Sequence, residues 1–273
     1  MRENPLRLVL LVVLLVSAIA YSPPLHRMVR HGWREIVDLF DDRPVRDVLI
    51  IGNSRVYYND IPFMIRDIAD AAGDAVHWEV TTLAKPGATF ESHWSDPEVH
   101  ALLARKWDLV ILQAESGAQF GDENNQRFHR FGQRLVQEAR GHGSPVAVVV
   151  GWVYGKHFFE GYPGARERMQ GQIQTQHIRF AEDNLVDLIN VGRAWAEIES
   201  RCPTLSLTVD DNHPSFIGSS IEAMAIYRYL SGGSVLSSAS HLEGVSISDA
   251  YIVSDEIQKR ISQRAALRAS LVP

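Results

Sequence analysis

The sequence predicts an α/β fold: a three-layer α/β/α arrangement around a central, mostly parallel sheet of five strands. Two observations lead to this prediction. Five short apolar runs recur along the chain without polar alternation, as expected for strands that are covered on both faces. Segments with helical periodicity separate these runs, and regular alternation of strands and helices favours parallel strands joined by right-handed crossovers.

The elements follow one another in a simple order. The strands are assigned from the short apolar runs, and the helices from apolar stripes at helical spacing. Gly73 and Gly141 end two of the helices, and Pro214 is expected at the first position of another. The predicted strands cover residues 47–51, 76–83, 108–112, 145–150 and 186–191. The predicted helices cover residues 60–72, 96–104, 123–140, 165–184, 193–199 and 214–230, with one or two more within 245–267.

The composition is that of an ordinary globular protein, with 45% hydrophobic and 22% charged residues among 273. This length suits one large domain. The formal net charge of -6 gives no basic face, so we do not expect a nucleic-acid partner. Cys202 is the only cysteine, and the histidines form no metal-binding motif. We therefore predict neither an internal disulfide nor a metal or other cofactor.

The first 24 residues differ from the rest of the chain. Arg2 and Arg7 precede an apolar run over residues 8–16, and small residues follow up to Ala20. This pattern is typical of a secretory signal peptide, here cut after Ala20. The run is short for a membrane-spanning helix, which needs about 20 residues. We expect an exported protein, periplasmic or secreted; an uncleaved N-terminal membrane anchor is the alternative.

Three regions result from this division. Residues 1–24 form the signal peptide or anchor, residues 25–45 a linker, and residues 46–273 the folded domain. Within the linker, residues 30–40 carry apolar side chains at helical spacing, which predicts a short amphipathic helix.

Three residues near opposite ends of the pattern have the chemistry of a hydrolytic triad. Ser54 directly follows the first predicted strand, and Asp210 and His213 share one late loop. A serine needs a base to take its proton, and an aspartate orients that base. Taken alone, each feature is more often a turn, a helix cap or a solvated loop. Together they are expected to meet, because loops at the carboxyl ends of parallel strands converge on one crevice. Asp211 is the alternative orienting residue.

Five sequence blocks surround these residues in order: Gly52-Asn53-Ser54, residues 57–62, residues 85–89, residues 112–116 and the run from Asp210 to Ser215. Together they resemble the blocks of the SGNH (GDSL-type) hydrolase superfamily, in particular a bacterial branch with many exported members. The resemblance spans about residues 46 to 232. It implies a flavodoxin-like fold and a serine esterase that works through an acyl-enzyme, on acetyl or short acyl esters of carbohydrates.

Two blocks depart from the family pattern. The first reads Gly-Asn-Ser where the name-giving members have Gly-Asp-Ser, which keeps the nucleophile. The third lacks the Gly-x-Asn-Asp of typical members, so the asparagine that helps to bind the oxyanion has no direct match. Gln113 is assigned to this role, since Gln-Ala-Glu-Ser looks like the Gln-Gly-Glu-Ser of relatives that cleave sugar esters. The backbone N–H groups of Ser54 and Gly87 complete the predicted oxyanion hole. A structural glycine and a buried amide are the alternatives for Gly87 and Gln113.

Four further side chains are candidates for binding the substrate. Asn53 and Tyr58 flank the nucleophile, Glu115 follows the third strand, and Trp152 follows the fourth. Aromatic rings at the mouth of a site suit sugar rings or acyl chains, with core packing as the alternative. His93 and His157 lie in segments that could reach the same crevice. The expected partner is a small-molecule or glycan ester.

Two other functions fit the same residues. The triad could transfer the acyl group to a sugar hydroxyl, which would make the protein an O-acyltransferase. Alternatively, the fold could serve as a catalytically inactive, polysaccharide-binding accessory domain.

Overall fold

The computed structural model describes residues 41–232, 234–235, 242 and 245–261. Contacts divide the chain into two compact units, Met1–Pro44 and Val45–Pro273, and every element named below belongs to the second. The predicted signal or anchor segment and the amphipathic helix over residues 30–40 lie outside the described residues. So does the part of the last predicted helical region beyond residue 261.

The described elements alternate between strands and helices. The strands are β1 Val45–Gly52, β2 His77–Ala84, β3 Leu109–Gln113, β4 Val146–Val149 and β5 Asp187–Ile189. The helices are α1 Ser54–Tyr57, α2 Ile61–Ala71, α3 Phe90–Trp94, α4 Pro97–Leu103, α5 Asp122–Gly141, α6 Ala165–Asn184, α7 Val191–Arg201, α8 Phe216–Ser231 and α9 Ile247–Arg260, with a 3₁₀ turn at Lys156–Phe159.

The five strands form one sheet in the order β2-β1-β3-β4-β5, and every pair is parallel. The prediction of a parallel five-stranded α/β fold is therefore confirmed. In this order the chain first adds a strand on one side of β1 and then continues on the other side. The carboxyl ends of β1 and β3 consequently flank a crevice where α/β proteins commonly bind ligands.

A separate hydrophobic core lies on each face of the sheet. Successive residues of β1 alternate between them, with Val48 and Ile50 in the first core and Leu49 and Ile51 in the second. Helices α2, α7, α8 and α9 cover the first face, and helices α3 to α6 cover the second. Because both faces are covered, β1 carries an unbroken apolar run instead of an alternating one.

The predicted start of helix α8 is wrong. The helix expected to open at Pro214 begins at Phe216, because Ser215 is its N-cap and accepts a hydrogen bond from the Gly218 N–H at 3.1 Å. Pro214 instead forms an isolated bridge with Thr208. The short helices α1 and α3 were not predicted, since four or five residues are too few to show helical periodicity.

Candidate active site

Ser54 lies at the carboxyl end of β1, as the first residue of helix α1. The preceding Asn53 caps this helix by accepting a hydrogen bond from the Arg55 N–H at 3.1 Å. Gly52 is needed because a Cβ at this position would lie 2.7 Å from Val56 and 3.2 Å from Gln113. In Gly-Asn-Ser, glycine thus permits the close approach, asparagine caps the helix, and serine is left half-buried at the strand end.

The loop with Asp210 and His213 is shaped by its own hydrogen bonds. One carboxylate oxygen of Asp210 accepts from the backbone N–H groups of Asn212, at 3.2 Å, and His213, at 2.7 Å. Asp211 between them adopts a left-handed backbone with φ of 62°, and its carbonyl accepts from the Gly155 N–H at 2.6 Å. A Cβ at residue 155 would lie 2.0 Å from the Asp211 carboxylate, so the loop requires this glycine.

The three predicted triad residues lie in one hydrogen-bonded line. The second carboxylate oxygen of Asp210 is 2.7 Å from His213 Nδ1, and His213 Nε2 is 3.0 Å from Ser54 Oγ. A carboxylate can only accept, so Nδ1 carries the proton of the neutral ring and donates it to Asp210. Nε2 is then an acceptor for the Ser54 hydroxyl. This is the geometry that general-base activation of a serine requires.

Electrostatics favour an ionised Asp210. Partial burial opposes the charge, but hydrogen bonds from the His213 side chain and from the His213 and Asn212 N–H groups outweigh it and keep the pKa of Asp210 below its ordinary value. Asp211, the alternative orienting residue, lies beside a different histidine. Its carboxylate oxygen lies 3.4 Å from the exposed His157 ring. The structure thus brings Asp210 to the imidazole and pairs Asp211 with another histidine.

Tyr58 is placed at the site, whereas two other substrate-binding candidates are not. The Tyr58 ring stacks on His213 with ring centroids 4.8 Å apart and remains 39% exposed. Asn53 is buried, and its amide donates to the Ala114 carbonyl at 3.0 Å, so its role is structural. Trp152 is only 1% exposed and stacks on Trp195 at 4.1 Å, which places it in the core below the loop and away from a substrate.

Gln113 also lies in the interior, which contradicts its prediction as an oxyanion donor. Its side chain is 1% exposed, and its amide nitrogen donates to a carboxyl oxygen of buried Glu222 at 2.5 Å. A donor engaged with a neighbour and shielded from solvent is not available to a substrate oxygen. Burial raises the pKa of Glu222 to about 8, so this carboxyl is neutral at pH 7. A buried polar pair at the end of β3 is the better description.

The remaining candidates border the site at different depths. Gly87 is exposed in the loop after β2 with φ of 62°, a conformation that favours glycine. Glu115 is half-buried in the loop after β3, and burial raises the pKa of its carboxyl. His93 is buried under the nucleophile, where its Nε2 lies 2.8 Å from the Gly52 carbonyl. It holds the end of β1 and does not reach the crevice.

Arg55 and Asn212, which adjoin the triad residues, form a contact that the sequence does not predict. Arg55 is only 3% exposed, and its guanidinium lies 3.0 Å from Asn212 Oδ1. The only signal for this contact in the sequence is that each residue adjoins a triad member. Pairing across 157 residues is decided by the fold.

Among the residues that the structure describes, no helix is long and apolar enough to cross a membrane. The same part of the chain contains no group of three or more His, Cys, Asp or Glu side chains that could hold a metal ion.

Solved structures with the same architecture identify the fold. A DUF4886 family protein from Bacteroides uniformis superposes with a TM-score of 0.67 at 15% identity, over 81% of this chain and 99% of that one. A proposed SGNH hydrolase from Slackia heliotrinireducens gives a TM-score of 0.54 at 22% identity, over 69% of this chain and 100% of that one. The chain has the SGNH hydrolase fold. The fold that the sequence blocks imply is therefore confirmed.

A third solved structure with a similar fold is a catalytic mutant of an acetylxylan esterase from Geobacillus stearothermophilus. It gives a TM-score of 0.55 at 17% identity, over 68% of this chain and 94% of that one. Neither a protein-family model nor a curated protein sequence matches the chain. The similarity to known proteins therefore establishes the fold. Evidence for an activity has to come from the geometry of the site.

Proposed function

We propose that the protein is a serine esterase that cleaves an oxygen ester through an acyl-enzyme, with Ser54, His213 and Asp210 as its triad. The single observation that carries this proposal is the continuous line of hydrogen bonds from the Asp210 carboxylate through His213 to Ser54 Oγ, at 2.7 and 3.0 Å. A line of this kind with a half-buried serine at the switch point of a parallel sheet is the arrangement that acyl transfer needs.

The first chemical step follows from these positions. As Ser54 Oγ attacks the acyl carbon, its proton passes to His213 Nε2, and the resulting imidazolium is stabilised by Asp210. His213 then returns the proton to the leaving alcohol as the carbon–oxygen bond of the ester breaks. Water, activated by the same nitrogen, releases the acid from the acyl-enzyme in the second half of the cycle.

Backbone groups supply the donors for the oxyanion. Ser54 is the first residue of α1, so its N–H has no acceptor within that helix. The Gly87 N–H, in the exposed turn after β2, is the second donor of the proposal. The buried position of Gln113 removes the side-chain donor that the sequence pattern had suggested.

We further propose an acetyl or short acyl ester of a carbohydrate as the substrate. The exposed face of the Tyr58 ring suits contact with a sugar ring. Glu115 offers a carboxyl that can accept hydrogen bonds from sugar hydroxyls. Its loop is held at the site from both sides, by Asn53 bonding the Ala114 carbonyl and by Ser116 bonding Asn212. The acetylxylan esterase with the same fold acts on an ester of this kind.

A fluorophosphonate probe and a panel of acetyl, butyryl and octanoyl esters test the activity. Wild-type protein is expected to be labelled at Ser54 and to hydrolyse the shortest esters fastest. Ser54→Ala is expected to lose both labelling and turnover while its circular dichroism spectrum stays that of wild type, because only one hydroxyl is removed. Turnover by Ser54→Ala at the wild-type rate would refute the proposal. Absence of labelling in folded wild-type protein would favour the accessory-domain alternative.

A second measurement separates hydrolysis from acyl transfer. Acetylated xylo-oligosaccharide is incubated with the enzyme, with and without an unacetylated acceptor glycan. Free acetate that accumulates at the same rate in both samples is the outcome expected for an esterase. Acetate release that falls as acetylated acceptor appears would identify a transferase instead.

A further inference from the structure

We propose that Arg55 is a positioning residue for catalysis, which fixes the loop carrying Asp210 and His213 against the helix carrying Ser54. Arg55 directly follows the proposed nucleophile, and its partner Asn212 directly precedes the proposed base. One guanidinium therefore joins the two segments whose separation sets the Ser54–His213 distance. This inference rests on the proposed esterase activity and adds a residue to it.

The contacts of Arg55 use its planar, forked shape. Nε and Nη2 donate to the side-chain oxygen of Asn212 at 3.2 and 3.0 Å. Nη1 donates to the backbone carbonyl of Trp152, beyond the end of β4, at 2.8 Å. A lysine has a single ammonium group and cannot reproduce this set of fixed directions.

The aromatic layer under Arg55 restricts its movement. The guanidinium carbon lies 4.3 Å from the centre of the Trp152 ring, and that ring stacks on Trp195 with planes only 4° apart. A cation stacked on a fixed indole is held from below as well as by its hydrogen bonds. The Arg55 side chain is therefore fixed in one conformation.

Asn212 is held from several directions at once. Besides the two bonds from Arg55, its side-chain oxygen accepts from Ser116 Oγ at 3.0 Å. Its backbone carbonyl accepts from the Trp152 indole N–H at 3.3 Å. These donors follow the carboxyl ends of three neighbouring strands, β1, β3 and β4, so all three strand ends help to fix the position of the loop.

Burial of the Arg55 charge costs free energy, which the hydrogen bonds of its guanidinium have to offset. Burial lowers its pKa to about 10, and the groups that favour its charge are Tyr154, Glu222 and Asp210. Arg55 therefore remains a cation at pH 7. Its hydrogen-bond acceptors are the Asn212 side-chain oxygen in the acid–base loop and the Trp152 carbonyl.

The test compares Arg55→Ala, Arg55→Lys and Asn212→Ala with wild type, for kcat, KM and melting temperature. We expect kcat to fall about 10²-fold in Arg55→Ala, because displacement of a reacting group by about 1 Å has an effect of this size. KM should change little, since Arg55 is almost completely buried. Arg55→Lys should have a kcat between those of Arg55→Ala and wild type. The double variant Arg55→Ala/Asn212→Ala should be no slower than the slower of the two single variants.

Chemical rescue distinguishes positioning from general loss of folding. Millimolar guanidinium is expected to restore part of kcat in Arg55→Ala and none in Asn212→Ala, and urea, its neutral isostere, should restore neither. Assays are made below the melting temperature of each variant, so a shortage of folded protein does not enter. Wild-type kcat in Arg55→Ala, or a reduced kcat that guanidinium does not restore, would overturn the inference. Ser54→Ala is assayed in parallel: if it is active, the proposed function itself fails, whereas if it is inactive beside an unaffected Arg55→Ala, only the role of Arg55 fails.

Discussion

Tyr58 stacks on the imidazole of His213, with ring centroids 4.8 Å apart and planes inclined by 15°. The tyrosine lies at the end of helix α1, four residues after Ser54, while the histidine comes from the loop before α8. The contact covers one face of the histidine ring and leaves its edge nitrogens to Asp210 and Ser54. It therefore restricts rotation of the base without competing for its hydrogen bonds.

Tyr58→Leu is expected to lower kcat about 3- to 10-fold. An aromatic stack contributes about 0.5–1.5 kcal/mol beyond the burial of area, and its loss lets the imidazole rotate. Tyr57→Leu is the matched control, because Tyr57 is adjacent and equally exposed but stacks on no residue of the triad. Steady-state kinetics on one short-chain ester compare the two. An equal kcat for both variants would show that the stacking contact does not contribute to catalysis.

Asp210→Asn and Asp211→Asn should differ strongly in rate. In the first variant, the single oxygen of the new amide stays with the Asn212 and His213 N–H groups, so its NH₂ faces Nδ1 and favours the wrong tautomer of His213. Loss of such an orienting carboxylate typically lowers kcat by about 10³- to 10⁴-fold. The second keeps the backbone of Asp211, since asparagine tolerates its positive φ, and should leave kcat within about threefold of wild type. A greater loss in Asp211→Asn would assign the orienting role to that residue.

Ser54→Ala and His213→Ala are expected to lose similar factors in kcat, and the double variant should lose no more than either single change. Nucleophile and base act as a unit, so removal of one makes the other useless. Residual ester turnover is measured for the three variants at equal concentrations of folded protein. Losses that multiply in the double variant would indicate two independent contributions.

Glu222→Gln should stabilise the protein at alkaline pH. In the folded protein burial raises the pKa of Glu222 from 4.5 to about 8, so the native state holds a proton that the unfolded chain has already released. Stability from this group is present below pH 4.5 and is lost as the pH rises through about 8. The lost free energy of unfolding is several kcal/mol, at about 1.4 kcal/mol per pKa unit.

Melting temperatures at about pH 5 and about pH 9 measure this effect. Glu222→Gln keeps the acceptor for the Gln113 amide, so it should melt near wild type at the lower pH and above wild type at the higher one. Glu182→Gln, an exposed change on α6, is the control and should show no such difference. A wild-type pH profile in Glu222→Gln would count against a neutral carboxyl at this position.

Gln113→Ala should act on stability and little on catalysis. The change leaves buried Glu222 without its hydrogen-bonding partner and opens a cavity beside Gly52. An unsatisfied buried polar group costs about 1–3 kcal/mol, which corresponds to a drop of several degrees in melting temperature. Calorimetry and kcat on the folded protein are compared. A loss of about 10²-fold in kcat with unchanged melting temperature would restore Gln113 as an oxyanion donor.

Much of the fold could be read from the sequence because its signals are local. The unbroken apolar run that became β1 predicts a strand covered on both faces, and α6 was predicted with its observed bounds. The start of α8 was misplaced, because Pro214 and Ser215 are both good helix-initiating residues and only the bridge to Thr208 decides between them. Helix-initiating preferences alone do not distinguish two adjacent residues that both favour a helix start.

For the site, the sequence by itself determined the candidate residue types and their order: Ser54 after a strand, and Asp210 three residues before His213. These features need only the local spacing that lets an aspartate reach a nearby histidine. The tertiary structure alone decided which groups face the crevice. It buried Gln113, Asn53 and Trp152, and it joined Arg55 to Asn212 across 157 residues. Side-chain direction depends on packing between distant segments, and no local pattern encodes that packing.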